Sequence, residues 1–329
     1  MIVFQPLAYA RLPDRNLASG LVPVGSVFPA LGITKRKIKK LDAILHARDP
    51  DARPQHAFSA RPFVLCGIPI RRPLKHTLEY SRQNGKFRLR VIGHPDYGLP
   101  FGQDRLLLIW IASMATWHKD RVIRFRSAAT ILDAFQLPKD GRYYKRLIAG
   151  FERIFYSTFY FASDEHDAEA VVITRTSFRF VKDLRLWYFH SDDTGSRGEG
   201  VSRQNVIVLS EEFWHEIQEH PIPVDLNVVR ALADSSGNLD LYVWLVWRCW
   251  TARSRADIPL FGPDGLISQL GISAGLWERD FRRQMIQWLR VIRQLWPECP
   301  AAIGASGTSV ILHAWRRPQN STAAASHSE

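Results

Sequence analysis

The sequence is poor in what a disulfide-bonded scaffold, a membrane protein or a nucleotide hydrolase needs. Its three cysteines, Cys66, Cys249 and Cys299, are far apart and form neither CxxC nor a Cys/His zinc spacing, which argues against structural zinc and fits a reducing compartment. The longest uncharged apolar runs, such as Leu106 to Ala115 and Leu241 to Trp247, fall short of the roughly 18 to 20 residues a bilayer span needs. The opening MIVFQPLAYARLPDRN lacks a basic region followed by an apolar one, so no secretory signal is read and a cytoplasmic protein is expected. There is no GxxxxGK[ST] phosphate loop, and no HxH pair of the kind a metal-dependent nicking enzyme needs beside its tyrosine. In HEIQEH the histidines, His215 and His220, stand at i and i+5, about 140° apart on a helix, whereas a zinc protease needs i and i+4 on one face. GASGT is not GxSxG, because its second glycine comes one position early. No catalytic residue, metal or cofactor is therefore expected.

What the sequence has is aromatic bulk and uneven positive charge. A chain of 329 residues that is 46% hydrophobic can bury two ordinary cores. The net charge is +12, and all of it lies in the first 90 residues; residues 34 to 90 alone carry fifteen Lys/Arg against four Asp/Glu. A basic leader on a neutral body points to a polyanion, nucleic acid before membrane, because no apolar face is read beside the basic run KRKIKK. A solvated, partly disordered tail is the alternative reading.

The organisation reads as α+β. Residues 1 to 60, rich in Pro, Ala, Arg and Gly, form a basic, partly extended and partly disordered leader. PFVLCGIPI and KFRLRVIGH read as short strands. Then a buried helix (LPFGQDRLLLIWIASMATWHK), a strand (VIRFRS), a helix (AATILDAF), a turn (QLPKDG), a helix (RYYKRLIAGFERIF) and β segments from Tyr156 to Phe189 follow. The order returns with the buried helix LDLYVWLVWRCWTAR, then ADIPL, GPDGLISQL, the long helix LWERDFRRQMIQWLRVIRQLW and the hairpin AAIGASGTSVILHAW. Trp110 matches Trp244, Ile123 matches Ile258, Leu137 matches Ile272 and Phe151 matches Met285, at an offset of 134 or 135 residues. Two copies of one unit is the simplest account, and the order is that of a winged helix. The expectation is two tandem winged-helix domains: residues 61 to 200, for dimerisation or backbone contact, and residues 201 to 317, for sequence-specific DNA binding, before a disordered tail from 318 to 329.

The long helix carries the chemistry. Phe281, Met285, Trp288, Ile292 and Leu295 fall within about 40° of one line at 100° per residue, which makes that stripe core. Arg279, Arg283 and Arg290 lie opposite, with Gln287 to one side and Arg282 and Arg293 to the other. Arginine pairs with guanine O6 and N7, and glutamine with adenine N6 and N7, so Arg279, Arg282, Arg283 and Gln287 are the candidate base readers. Arg290 and Arg293 are candidates for phosphate, with Ser306 and Thr308 in the hairpin; a solvated helix face and a plain hairpin turn are the alternatives. In the first copy the corresponding helix offers Arg142, Lys145, Arg146 and Arg153, the first three being further phosphate candidates. Its hairpin, however, turns through SDEHDAE, and Asp164, Glu165, Asp167 and Glu169 would repel a phosphate there.

From about Arg61 to Trp315 the chain resembles the RepA-type plasmid replication initiators of Gram-negative bacteria. The stretches that carry the resemblance are LCGIPIRRPLKHTLEYSRQNGKFRLRVIGHPDYGLPFGQDRLLLIWIA, RFRSAATILDAFQLPKDG, NVIVLSEEFWHEIQEHPIPVDLNVVRALADSSGNLDLYVWLVWRCW and IPLFGPDGLISQLGI. The resemblance implies a non-enzymatic winged-helix initiator that binds directly repeated sites (iterons) in double-stranded plasmid origin DNA. It further implies opening of the duplex, recruitment of the host initiator ATPase DnaA and the replicative helicase DnaB, and homodimers that repress their own gene. A winged-helix transcriptional repressor acting on its own promoter is the rival expectation.

Overall fold

A computed structural model of the chain describes residues 9–10, 22–23, 35–48, 55–166, 171–179, 181–185, 205–262, 265–272 and 277–313. Two helices apolar on nearly every side form its centre. Asp104–His118 buries Leu106 through Ala112 without a break, and Ser236–Thr251 buries Leu241, Trp244 and Leu245 completely. Such all-round burial follows from the absence of a polar face. Each is covered by an amphipathic partner: Gly141–Tyr156 packs on the first, and Glu278–Leu295 on the second.

The repeated order is present in both halves, with helix, strand, short helix, helix and paired strands in succession. All four matched pairs lie in or against one continuous core: Trp110 with Trp244, Ile123 with Ile258, Leu137 with Ile272, and Phe151 with Met285. The sheets differ. In the second half Ala256–Pro259 pairs antiparallel with Ser309–Leu312, which pairs with Ala301–Ile303. In the first half Val122–Phe125 pairs instead with Asn205–Leu209, which pairs with Val181–Arg185. The strands after the helix, Thr158–His166 and Val171–Arg179, join Glu79–Asn84 and Phe87–Ile92 in a separate four-stranded sheet.

Several local expectations need correction. PFVL is not a strand: Arg61–Leu65 is a short helix with Pro62 in its first turn, where the missing N–H and fixed φ cost nothing. The leader is not extended throughout. Lys35–Arg48 is a helix that buries Ala43, half-buries Ile38 and Ile44, and lies against the helices Leu226–Leu232 and Glu278–Leu295. Ile38, Leu41 and Ile44 recur every third residue, a face invisible to a reading that stops at KRKIKK. His56–Ala60 is a strand paired with Pro221–Asp225, and Ala57, Ser59 and Ala60 are buried. The break in sheet pairing thus falls after Asp225 rather than at residue 200. Of the acidic hairpin, Asp164 and Glu165 stand in the strand Thr158–His166, opposite Ile173 and Val172, not in the turn. Asp167 and Glu169, the loop HSDDTGSRGEG and the tail from 318 lie outside the described residues.

The halves are fastened by charge buried at their seam. Arg105 donates to both Asp240 carboxylate oxygens at 2.5 and 2.8 Å and to the Ile68 carbonyl at 3.0 Å. Burial pushes the Asp240 carboxyl up from its ordinary range, and the Arg105 guanidinium opposes that. One residue earlier, Asp104 accepts two bonds of 2.7 Å from Arg153.

Candidate nucleic-acid interface

The helix Glu278–Leu295 starts with Glu278 and Asp280 in its first turn, where negative charge suits the helix dipole. Its predicted stripe is buried: Phe281, Met285, Trp288, Ile292 and Leu295, with Leu289 beside it. Trp288 sits on the backbone of Gly237, so closely that a Cβ there would lie 2.1 Å from its ring. This packing fixes which face of the helix looks out. Arg279, Arg283, Gln287, Arg290, Arg293 and Gln294 are all exposed. Asp280 is the partner of two of them, at 3.0 Å from Arg283 and 4.0 Å from Arg279, yet those side chains remain 73% and 90% exposed. Such exposed pairs hold weakly, about 0 to 1 kcal/mol, so the carboxylate does not withdraw the arginines from a stronger anion.

Arg282 is placed differently. Its Nε is buried with no hydrogen-bond partner among the described residues, and its Cδ lies against Gly307 in the hairpin turn. Gly307 has φ +68°, a conformation that favours glycine. The turn is closed by bonds from the Gly307 N–H to the Gly304 carbonyl at 2.8 Å and from the Gly304 N–H to the Ser309 carbonyl at 3.0 Å. The Ser306 and Thr308 hydroxyls are exposed and 2.6 Å apart, and the Thr308 carbonyl accepts from the Leu260 N–H at 2.8 Å. Helix and hairpin turn thus adjoin through Arg282, with the outward arginines and glutamines exposed on the helix and the two hydroxyls exposed in the turn. Beside them Trp277, before the first helical turn, is 79% exposed; the sequence reading did not single it out.

The matching helix of the first half turns one arginine, Arg153, inward and leaves Arg142, Lys145 and Arg146 exposed. Arg153 is committed to Asp104, and Arg146 donates to Gln103 at 2.5 Å while lying over the Tyr143 ring. Gln103 in turn donates to the Ala233 carbonyl and to Asp234 at 3.2 Å, across the seam. Arg142 is exposed and also lies over Tyr143, and Lys145 is exposed. Within HEIQEH, Glu216 accepts both bonds of a bidentate Arg61 guanidinium at 2.8 Å, which occupies the carboxylate a hydrolytic reading would need as base. The three thiols are buried, and burial pushes them up, Cys66 and Cys249 to about 12 and Cys299 to about 11. No helix among the described residues is long and apolar enough to cross a membrane.

Residues 152–258 match the family described as plasmid encoded RepA protein, RepA_C. The match runs from the end of the helix Gly141–Tyr156 through the strand Ala256–Pro259, and takes in the stretch from Asn205 to Trp250 that carried the resemblance in sequence. Over these residues the likeness to the RepA plasmid initiators is a finding. Two solved structures of RctB domains 2 and 3 are also similar. One, a selenomethionine derivative, is 13% identical with a TM-score of 0.47, covering 69% of this chain and 82% of that one. The other, RctB residues 155–483, is 14% identical with a TM-score of 0.47, covering 76% and 94%. No curated protein matches the chain.

Proposed function

We propose that the chain is a plasmid replication initiator that binds repeated duplex sites at an origin, acting in the bacterial cytoplasm without catalysing a reaction. The family matched by residues 152–258 supports the initiator role. The observation that carries the DNA-reading part is the outward face of Glu278–Leu295, where Arg279, Arg283, Gln287 and Arg290 stand exposed over a stripe that is wholly core. The sheet order beside it, with Ser309–Leu312 between Ala256–Pro259 and Ala301–Ile303, is that of a winged helix, and the turn at Gly307 is its wing. In this reading Arg279, Arg283 and Gln287 meet base edges in the major groove. Arg290, Arg293, Ser306 and Thr308 meet phosphate, and Arg282 holds the wing to the helix. The first half, which shares the helix order but pairs its strands differently, contributes backbone contact through Arg142 and Lys145, and Arg146 braces the seam. Opening of the duplex, contact with the host initiator ATPase and helicase, and a repressing homodimer complete the proposal.

The test is selection of bound fragments from random and plasmid-origin DNA at physiological salt, with wild type beside the Arg279→Ala, Arg283→Ala, Arg290→Ala variant. Enrichment of one directly repeated motif by wild type, lost in a folded variant, is the expected result. A single palindromic motif would point to a repressor instead. Binding by both proteins without sequence preference would leave the helix a solvated face.

A further inference from the structure

Residues Gly67 to Ile70 are laid along the second half. The Gly67 N–H donates to the Gln269 carbonyl at 3.1 Å and the Ile70 N–H to the Gly271 carbonyl at 2.8 Å. A Cβ on Gly271 would lie 1.7 Å from the Ile68 carbonyl oxygen, so the two backbones are in direct contact. On its other side the segment is held by Arg105, which donates to Ile68, and by the Gly102 N–H, which donates to the Pro69 carbonyl at 2.9 Å. Arg82 donates to the Ile272 carbonyl. The chain that follows, Arg71, Arg72, Pro73, Leu74, Lys75 and His76, therefore leaves from a fixed base.

That base is bonded to Gly271, which precedes the arginine helix in the chain. Gly271 is seven residues before Glu278, so even a fully extended chain keeps the two within roughly 25 Å, the rise of about seven base pairs. Arg71, Arg72, Lys75 and His76 are exposed, and among the described residues no carboxylate pairs with them. Glu79, the nearest acid in sequence, is held by Arg90 at 2.8 Å. Pro73 restricts the loop, and the Thr77 N–H closes a turn onto the Leu74 carbonyl at 2.9 Å. Exposed, unneutralised cations that leave from a base bonded to Gly271, seven residues before the arginine helix, suit a polyanion of regular charge spacing.

We propose that Arg71, Arg72 and Lys75 form a phosphate clamp on the duplex backbone flanking the stretch read by Glu278–Leu295. The clamp rests on the DNA-reading function proposed above. It carries no sequence information of its own; it adds charge-dependent affinity and fixes the register of the helix. Leu74, 82% exposed among the cations, is the feature an apolar protein partner would use, and serves as the internal control.

The experiment measures binding of the full chain to a labelled duplex carrying the selected motif, and to a scrambled duplex, over a series of salt concentrations. The Arg71→Ala, Arg72→Ala, Lys75→Ala variant is compared with wild type, Leu74→Ser and Arg71→Lys, Arg72→Lys. The slope of log K against log salt should become shallower by about 2 to 3 in the triple variant, near 0.9 for each lost phosphate contact. Its preference for the motif over the scrambled duplex should be retained, and both the lysine variant and Leu74→Ser should keep the wild-type slope. An unchanged slope in the triple variant would overturn the clamp, as would an equal loss in Leu74→Ser. If wild type binds no duplex at all, the DNA-reading proposal fails and the clamp with it. If wild type reads its motif while the triple variant matches its slope, the clamp alone fails.

Discussion

The helices Gly141–Tyr156 and Glu278–Leu295 occupy equivalent places in the two halves, and both are amphipathic and rich in arginine. They differ in where the charge goes. In the first, Arg153 is locked to a carboxylate that is only 3% exposed, and Arg146 is held by Gln103, which reaches across the seam. In the second, Arg279 and Arg283 share one half-buried Asp280 while staying exposed themselves, and Arg290 and Arg293 stand in solvent. The same residue type thus fastens the molecule together at Arg153 in one half and stays in solvent along the other. What separates the two is what the neighbouring helix sets beneath them: Asp104 takes Arg153 under the first helix, while under the second Gly237 receives the Trp288 ring and Asp240 is already taken by Arg105.

The comparison breaks most sharply on stability. Arg153→Ala should leave the buried Asp104 charge unpaired and cost about 3 to 5 kcal/mol, whereas Arg290→Ala should stay within about 0.5 kcal/mol; denaturant melts of the two variants side by side decide it. Trp288→Ala should cost about 3 to 5 kcal/mol by opening the core over Gly237, so any lost binding should follow the lost fold in the same melts. A smaller effect belongs to Arg283→Ala, which should cost about 1 to 3 kcal/mol of discrimination at one base position, read by competition between single-base variants of the selected motif. Smaller again, Lys145→Ala should weaken all duplexes alike and reduce the salt slope by about 1. Equal, sequence-independent losses for Arg283→Ala and Lys145→Ala would erase the distinction between the helices as DNA contacts. Least of all, the buried thiols, raised to about 12, 12 and 11, should resist alkylation at pH 8 in the folded chain and react after unfolding, as mass spectrometry would show.

Period was legible where it was long. The stripe from Phe281 to Leu295 could be read off the sequence because five large apolar residues hold a 3.6-residue repeat, and the buried helices announced themselves by having no polar face. Pairings between distant residues were not legible. Nothing local in HAFSA predicts that it joins PIPVD across 160 residues, or that Arg61 meets Glu216. The charge of Arg153 was visible but its partner was not, because a sequence shows an arginine without the acid that a fold brings beneath it. The leader helix was missed for a narrower reason: its apolar positions, from Ile38 to Ile44, extend past the basic run that drew attention. Arg282 was expected among the readers from its angle on the helix, yet its place is set by the turn at Gly307, which angle alone does not reveal.

The seam has a consequence for length measurement. Arg105 on Asp240, Gln103 on Ala233 and Asp234, and the backbone of Gly67 to Ile70 on Gln269 and Gly271 tie the halves at three places. A duplex touched by both halves is then gauged by a ruler of one length. Because the double helix repeats about every 10 to 10.5 base pairs, inserting about 5 between the contacted positions turns the second onto the opposite side of the cylinder, while a full-turn insertion restores its azimuth but not its distance. If both halves touch DNA, as the proposed function holds, the molecule senses phase and spacing together.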